Sequence, residues 1–198
     1  AQRIRHSFQE NNLNQSSSLK SCTETIIRQV INIEKLVSEF SNFARMPEGN
    51  FERVKLNNLI ETQINTQKIV NNDTNFKLIS NKKKIEILCD YDQISRLFMN
   101  ILKNSVESSK KKNKQVLVSL NKKGKFVIID VEDNGDGFEE SNRENFFEPY
   151  MTKKINGTGL GLAICKKIVE DHNGQIELLD SKLLGGAMVR IKLFVKMK

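Results

Sequence analysis

Gly157, Gly159 and Gly161 stand two residues apart in Asn156-Gly157-Thr158-Gly159-Leu160-Gly161-Leu162, which opens directly into the apolar-periodic run Ala163 to Val169. Glycine lets the backbone take positive φ and approach a ligand closely, and the first turn of a helix offers unpaired N–H groups and a positive dipole end. Together they make a candidate phosphate cradle, with Thr158 and Leu160 inside it. The same spacing also serves as a plain turn into a helix, so the run needs company. Upstream, Asn100, Asn104 and Glu107 fall at i, i+4 and i+7 of the segment Asp92 to Ser109, one face of a helix. Asparagine is costly in mid-helix because its amide competes with the backbone. Amide oxygens and a carboxylate are hard donors suited to Mg²⁺, which takes few protein ligands alongside phosphates; a solvated polar stripe is the alternative. Between these two groups lies Asp133-Asn134-Gly135-Asp136-Gly137-Phe138, good turn chemistry that also leaves a carboxylate at a strand's end. The aromatic pair Phe146 and Phe147 follows, then Met151-Thr152-Lys153-Lys154, in a stretch long and irregular enough for a lid.

These residues need a scaffold. Ile94, Leu97, Phe98, Ile101 and Leu102 supply the apolar face of the asparagine helix. Phe76 to Ile79, Ile85 to Cys89, Gln115 to Leu120, Phe126 to Glu132, Gln175 to Leu179 and Ala187 to Val195 read as strands. Asn121-Lys122-Lys123-Gly124 is the expected hairpin turn, and Leu184-Gly185-Gly186 leads into the last strand. The pattern predicts an α+β fold, an α/β sandwich with a mixed sheet and helices on one face. Ahead of it, Ile26, Val30, Ile33, Val37, Phe40 and Ala44 recur at heptad-type spacing within Thr23 to Ala44. The polar stretch Asn11 to Ser18 reads as a loop after a short first helix bearing Ile4 and Phe8. So narrow a seam needs partner helices, which a homodimeric four-helix bundle supplies. Met46-Pro47-Glu48-Gly49 ends the helix. The predicted organisation is a helical region over 1–46, a linker over 47–57 and a second domain over 58–198.

A chain of 198 residues with 38% apolar content buries a real core. Its apolar runs are strand-length, far below the roughly 20 residues of a membrane helix, and no signal segment heads it. It begins with Ala1, so a membrane anchor is expected, if anywhere, in a preceding piece. Cys22, Cys89 and Cys165 lack metal-site spacing and sit among apolar neighbours, which predicts buried thiols in a reducing cytoplasm. The net charge of +8 gathers at Lys82-Lys83-Lys84 and Lys110-Lys111-Lys112, without interleaved aromatics for base stacking, so no nucleic-acid partner is expected.

The order of the groups is informative: an asparagine helix, Asp-x-Gly-x-Gly, an aromatic loop with lysine, then Gly-x-Gly-x-Gly. In that order the chain resembles the ATP-binding domain of sensor histidine kinases, of the superfamily that includes gyrase, MutL and the heat-shock chaperone ATPases. The likeness spans roughly Asn58 to Val195 and is sharpened by Leu160-Gly161-Leu162-Ala163-Ile164, Ile168-Val169 and His172-Asn173-Gly174. The resemblance implies ATP and Mg²⁺ as cofactors. It implies that Asn104 binds Mg²⁺, that Asn100, with Glu107 nearby, supports the metal and phosphate region, and that Asp133 accepts a hydrogen bond from the adenine amino group. Gly135 and Gly137 would wrap the base, Phe146 and Phe147 anchor the lid, Lys153 neutralise phosphate charge, and Thr158 with the amides of Gly157 to Gly161 meet the phosphates. Thr25 to Val30 and Val37 to Pro47 are similar to the second dimerisation helix of nitrogen-regulation kinases of the NtrY type, which implies an NtrX-like response regulator as partner. The family's phosphoacceptor motif is missing from this sequence, so the acceptor histidine is expected upstream of Ala1; His6 has no acidic neighbour to orient it. His172 reads as a helix-terminal residue complementing the dipole. The alternatives are a non-catalytic ATP-binding module and a hydrolytic ATPase. The hydrolytic relatives place a glutamate where Asn100 stands.

Overall fold

The computed structural model describes residues 22–34, 36–41, 49–109, 111–139, 143–152, 154 and 157–195. By compactness the chain divides into two units, Ala1–Met46 and Pro47–Lys198. In the first, residues 22–34 and 36–41 are helical (α1). Ile26, Val30, Ile33, Val37 and Phe40 are all exposed, and so are Ile27 and Ile31, which makes the apolar surface broader than the heptad seam alone. Cys22 is exposed too, against the expectation of a buried thiol. The first helix, the Asn11 to Ser18 loop, His6 and the helix stop at Pro47 lie outside the described residues.

The second unit begins with β1 (Phe51–Lys55) and α2 (Leu56–Val70), followed by β2 (Thr74–Ser80), β3 (Glu86–Asp90), α3 (Tyr91–Ser108), β4 (Lys114–Lys123), β5 (Phe126–Asp133), α4 (Gly161–Asp171), β6 (Gln175–Asp180) and β7 (Ala187–Phe194). Residues 47–57, expected as linker, thus hold β1 and the start of α2. Their apolar content is thin: β1 buries only Val54, and α2 buries Leu56, Leu59, Ile60 and Ile64.

β1 and β3 form a two-stranded antiparallel sheet; the main sheet runs β2-β4-β5-β7-β6 and is mixed, since β2 is parallel to β4 and the other pairs are antiparallel. Strict alternation along β4 and β7 sends Val116, Val118, Leu120, Val189, Ile191 and Leu193 to the buried side. Ile94, Leu97, Phe98, Ile101 and Leu102 of α3, which packs against β4 and β5, are fully buried. Each such side chain contributes about 1.5–3 kcal/mol. The β4–β5 hairpin is tighter than the sequence pattern predicts. Lys123 pairs with Phe126, leaving Gly124 and Lys125 as a two-residue loop with Gly124 at φ 58.

Asp90 links β3 to α3. Its Oδ1 accepts from Gln93 N–H at 2.8 Å as a helix cap, and its Oδ2 accepts from Asn50 N–H at 2.7 Å. His172 is not a solvated helix end. It is buried beside Phe51, its Nε2 accepts from Asp90 N–H at 3.0 Å, and its Nδ1 lies 2.7 Å from Ile168 O. That pairing makes it the neutral tautomer with the proton on Nδ1. One side chain thereby joins the end of α4 to the start of α3, the two helices that carry the polar groups.

Candidate nucleotide site

The last turns of α3, the end of β5 and the start of α4 converge. Asn104 and Glu107 project from α3 beside the glycine run: a methyl group added at Gly161 would lie 3.7 Å from Asn104 Nδ2. Gly161 is the first residue of α4, whose N-cap residue Leu160 makes no side-chain capping bond, and the first N–H groups of a helix lack intrahelical partners. Thr158 and Gly159 precede it, with Gly159 at φ 69, and its added methyl would fall 2.6 Å from Tyr150 Cα and 2.7 Å from Met151 N. Tyr150 N–H donates to Gly159 O at 3.1 Å, so the lid segment is laced to the glycine run through this residue. Gly159→Ala is accordingly expected to weaken nucleotide binding by about tenfold or more, because positive φ and backbone contact both resist the new carbon. Calorimetric titration with ADP checks this, with an unchanged far-ultraviolet spectrum showing that the core survives.

Asn100 sits one turn before Asn104. Among the described residues its buried Nδ2 has no hydrogen-bond partner; the Cys165 thiol is close to the Asn100 side chain, and sulfur is a weak acceptor. Burial pushes that thiol to about 12, with Asn100 and Arg96 opposing the shift, and burial with Asp90 and Glu52 nearby does the same to Cys89. Both thiols are inert.

The expected phosphate lysine, Lys153, lies outside the described residues. Its neighbour Lys154 is in the site: Nζ donates to Glu107 Oε2 at 2.6 Å and to Asn104 Oδ1 at 3.1 Å. Spacing in an irregular loop could not choose between two adjacent lysines. The arrangement also tests the metal reading. An amide oxygen and a carboxylate oxygen already share one cation, so the donor set fits a hard divalent ion.

Asp133 closes the other end. It is buried, and its Oδ1 accepts from Gly135 N–H at 2.8 Å and from Ala187 N–H at 3.2 Å. Burial pushes the carboxyl above its ordinary 3.8, while those two amides and the hydroxyls of Ser108 and Ser105 pull it back in part. A methyl group at Gly135 would run into Ser108 Oγ and come 2.9 Å from Asp133 Oδ1. Gly137, at φ 77, lies beside Gly186 of the β6–β7 turn. Phe146, in the short helical turn Glu144–Phe147, packs on Phe138 at 5.6 Å, and Lys166 Nζ of α4 stands 5.5 Å from the Phe147 ring centre. Arg143 pairs with Asp180 and ties the start of this loop to β6. Ser105, Ser108 and Gly186 were not singled out from sequence; only the Gly185-Gly186 doublet carried a signal.

Residues 89–197 match the family described as histidine kinase-, DNA gyrase B-, and HSP90-like ATPase. The nitrogen regulation protein NtrY of Azorhizobium caulinodans is 33% identical over 201 residues, covering 98% of this chain and 26% of that protein. The chain therefore spans about a quarter of that relative's length. The catalytic domain of histidine kinase ThkA is 26% identical with a TM-score of 0.66, over 73% of this chain and 95% of that one. ThkA in complex with the response regulator protein TrrA shares the fold at a TM-score of 0.71 and 20% identity, over 86% of this chain and 49% of that one. With the α+β sandwich, the glycine-led α4 and the buried Asp133 in place, this chain belongs to the histidine kinase-, gyrase B- and HSP90-like ATPase family, and resembles the sensor histidine kinases within it.

Proposed function

We propose that this chain is the ATP-binding catalytic region of a two-component sensor histidine kinase of the NtrY-like type, delivering the γ-phosphoryl of ATP to a histidine and thence to a response-regulator aspartate. The observation that carries the reading is the convergence of Asn104, Asp133 and the Gly157–Gly161 run at one place, from three elements far apart in sequence. Asp133 Oδ2 receives the adenine amino group, and Gly135 and Gly137 let the backbone pass close to the base. Asn104 would hold Mg²⁺, with Asn100 and Glu107 shaping the metal and phosphate region. Bound Mg²⁺ supplies charge neutralisation across the phosphate oxygens. Thr158, Leu160 and the amides of Gly157, Gly159 and Gly161 orient the phosphates; Lys154, and Lys153 beside it, add positive charge. Phe146 and Phe147 anchor the lid that keeps water out. Such transfer is largely positioning and electrostatics. An amide at Asn100 cannot deprotonate water, which disfavours the hydrolytic alternative.

In this reading residues 1–46 belong to the dimerisation region, and 47–198, with β1 and α2 included, form the catalytic domain. The exposed apolar residues of α1 support a homodimer, since a second copy would cover them. ThkA, crystallised with TrrA, supports a response regulator as partner, NtrX-like in this case. No helix among the described residues is long and apolar enough to cross a membrane, and the reading places this portion in the cytoplasm of a membrane-anchored sensor.

The test is calorimetric titration of the chain with ATP and ADP, with and without Mg²⁺. Mg²⁺-dependent binding is expected, and its absence overturns the proposal. Incubation with γ-labelled ATP of this chain and of a version extended upstream separates a kinase from a binding module: acid-labile label on the extended version supports the kinase.

Asp133 also sets a pH dependence. The carboxylate is the stronger acceptor for an amino group, and protonation can turn a hydroxyl donor towards it, so nucleotide affinity falls as pH drops through a folded pKa that lies above 3.8. The ligand-free fold behaves oppositely. A carboxyl raised on folding contributes stability that is fully present below 3.8 and is lost as pH rises through the folded value. The ADP-induced rise in Tm is therefore expected to shrink on acidification while pH is still above 3.8; a constant rise across that range would exclude Asp133 as the titrating acceptor.

A further inference from the structure

The β6–β7 turn has its own glycine requirement, met by Gly185 at φ 76. Gly186 is not among the positive-φ glycines, so alanine could adopt its backbone conformation. Space is what forbids it: an added methyl would come within 2.5 Å of Asp133 O and Gly135 N and 2.8 Å of Asp133 Oδ1. The turn is pinned in that position. Ser181 N–H donates to Gly186 O at 2.8 Å, Ser181 Oγ donates to the buried Glu132 at 2.7 Å, and Leu184 N–H donates back to Ser181 Oγ at 2.9 Å. β5 thus holds the turn through Glu132, and the turn brings Ala187 N–H to Asp133 Oδ1 at 3.2 Å. From the opposite side α3 presents Ser108, whose hydroxyl donates to Ser105 O at 2.9 Å and lines, with Asp133 Oδ1, the space beside Gly135; the hydroxyls of Ser105 and Ser108 also favour the charged form of the Asp133 carboxyl.

Oδ1 is therefore committed to two backbone amides, and the carboxyl plane is gripped from two sides. A carboxylate so held offers one oxygen, in one direction, to a ligand. We propose that Gly186, Ser105 and Ser108 are positioning residues for nucleobase selection: by fixing Asp133 Oδ2 they set the preference of this chain for purines bearing a 6-amino group. The inference rests on the reading of Asp133 as the base acceptor. None of the three needs to touch the nucleotide. Their role lies in removing alternative carboxylate orientations, which would otherwise form a poorer bond with the amino group.

The preference is read as the ratio of affinities for Mg-ADP and the Mg-diphosphate of purine riboside, which lacks the amino group, measured on the full chain. One hydrogen bond to a charged acceptor corresponds to about tenfold or more in the unaltered chain. Gly186→Ala is expected to cut that ratio by about fivefold or more while the purine riboside nucleotide binds within about twofold of its original affinity. If Gly186→Ala does not fold, Ser105→Ala/Ser108→Ala carries the test, because it only removes oxygen atoms; a fall of about twofold to fivefold is expected. A ratio unchanged in the folded variants, or equal weakening of both nucleotides, overturns the positioning role and leaves Asp133 as acceptor. A ratio near one in the unaltered chain overturns the Asp133 assignment and the inference with it.

Discussion

Asp133→Asn is expected to weaken ADP binding by about 100-fold while leaving the ligand-free fold at least as stable at neutral pH. The two effects part because one atom serves the fold and the other the ligand. Oδ1 accepts from Gly135 and Ala187, so the asparagine oxygen must take that place. The amide nitrogen is then turned to where the adenine amino group would arrive, donor against donor, and the bond is replaced by a repulsion. The fold meanwhile no longer buries a charge, the main cause of the raised carboxyl pKa. Calorimetry with ADP and a thermal melt without ligand read the two halves separately. Loss of both together would mean that Asp133 is a structural residue.

Phe98→Ala is the largest expected loss of stability, about 3–5 kcal/mol. Phe98 is fully buried on α3, among Leu97, Ile101 and Leu102, and its removal leaves a cavity that close-packed neighbours cannot fill. Set against a domain stability of about 5–15 kcal/mol, such a loss brings the chain near its unfolding midpoint at physiological temperature. Urea denaturation is expected to show a much lower midpoint with an unchanged slope. Met99, next in sequence but exposed, is the control, and Met99→Ala is expected to change stability by no more than about 0.5 kcal/mol. The function follows the fold here, since the helix that loses its core contact is the one that aims Asn100, Asn104 and Glu107.

Legibility in the sequence tracked burial. α3 and α4 were readable because their apolar positions are dense and periodic, β4 and β7 because inward and outward residues alternate, and β5 because Phe126 to Ile129 is a continuous apolar run. α2 was not: it has four buried positions in fifteen residues, diluted by asparagine, glutamine and threonine, and Thr62 and Thr66 bond back to carbonyls four residues earlier. β1, with Val54 as its one buried residue, owes its strand to pairing with β3, a non-local cause that a local pattern cannot carry. The candidate site divides in the same way. Asn104, Asp133 and the glycine run stand out as residue types in unusual places. Ser105, Ser108 and Gly186 are ordinary residues made consequential by where other elements lie against them. Lys154 emerges from its neighbour only because Nζ meets Asn104 and Glu107.

That last contact alters what binding means here. Without ligand, the carboxylate of Glu107 already has a counter-ion, supplied by Lys154 from the loop ahead of the glycine run. On the proposed reading, Asn104 and Glu107 would hold a divalent ion through the oxygens that Lys154 now occupies, and the lysine would be freed to neutralise phosphate charge. The pair it abandons is half-exposed and worth only about 0–1 kcal/mol, so the swap meets little resistance. On that reading, ligand arrival and the release of Lys154 would be two descriptions of a single substitution of one cation for another.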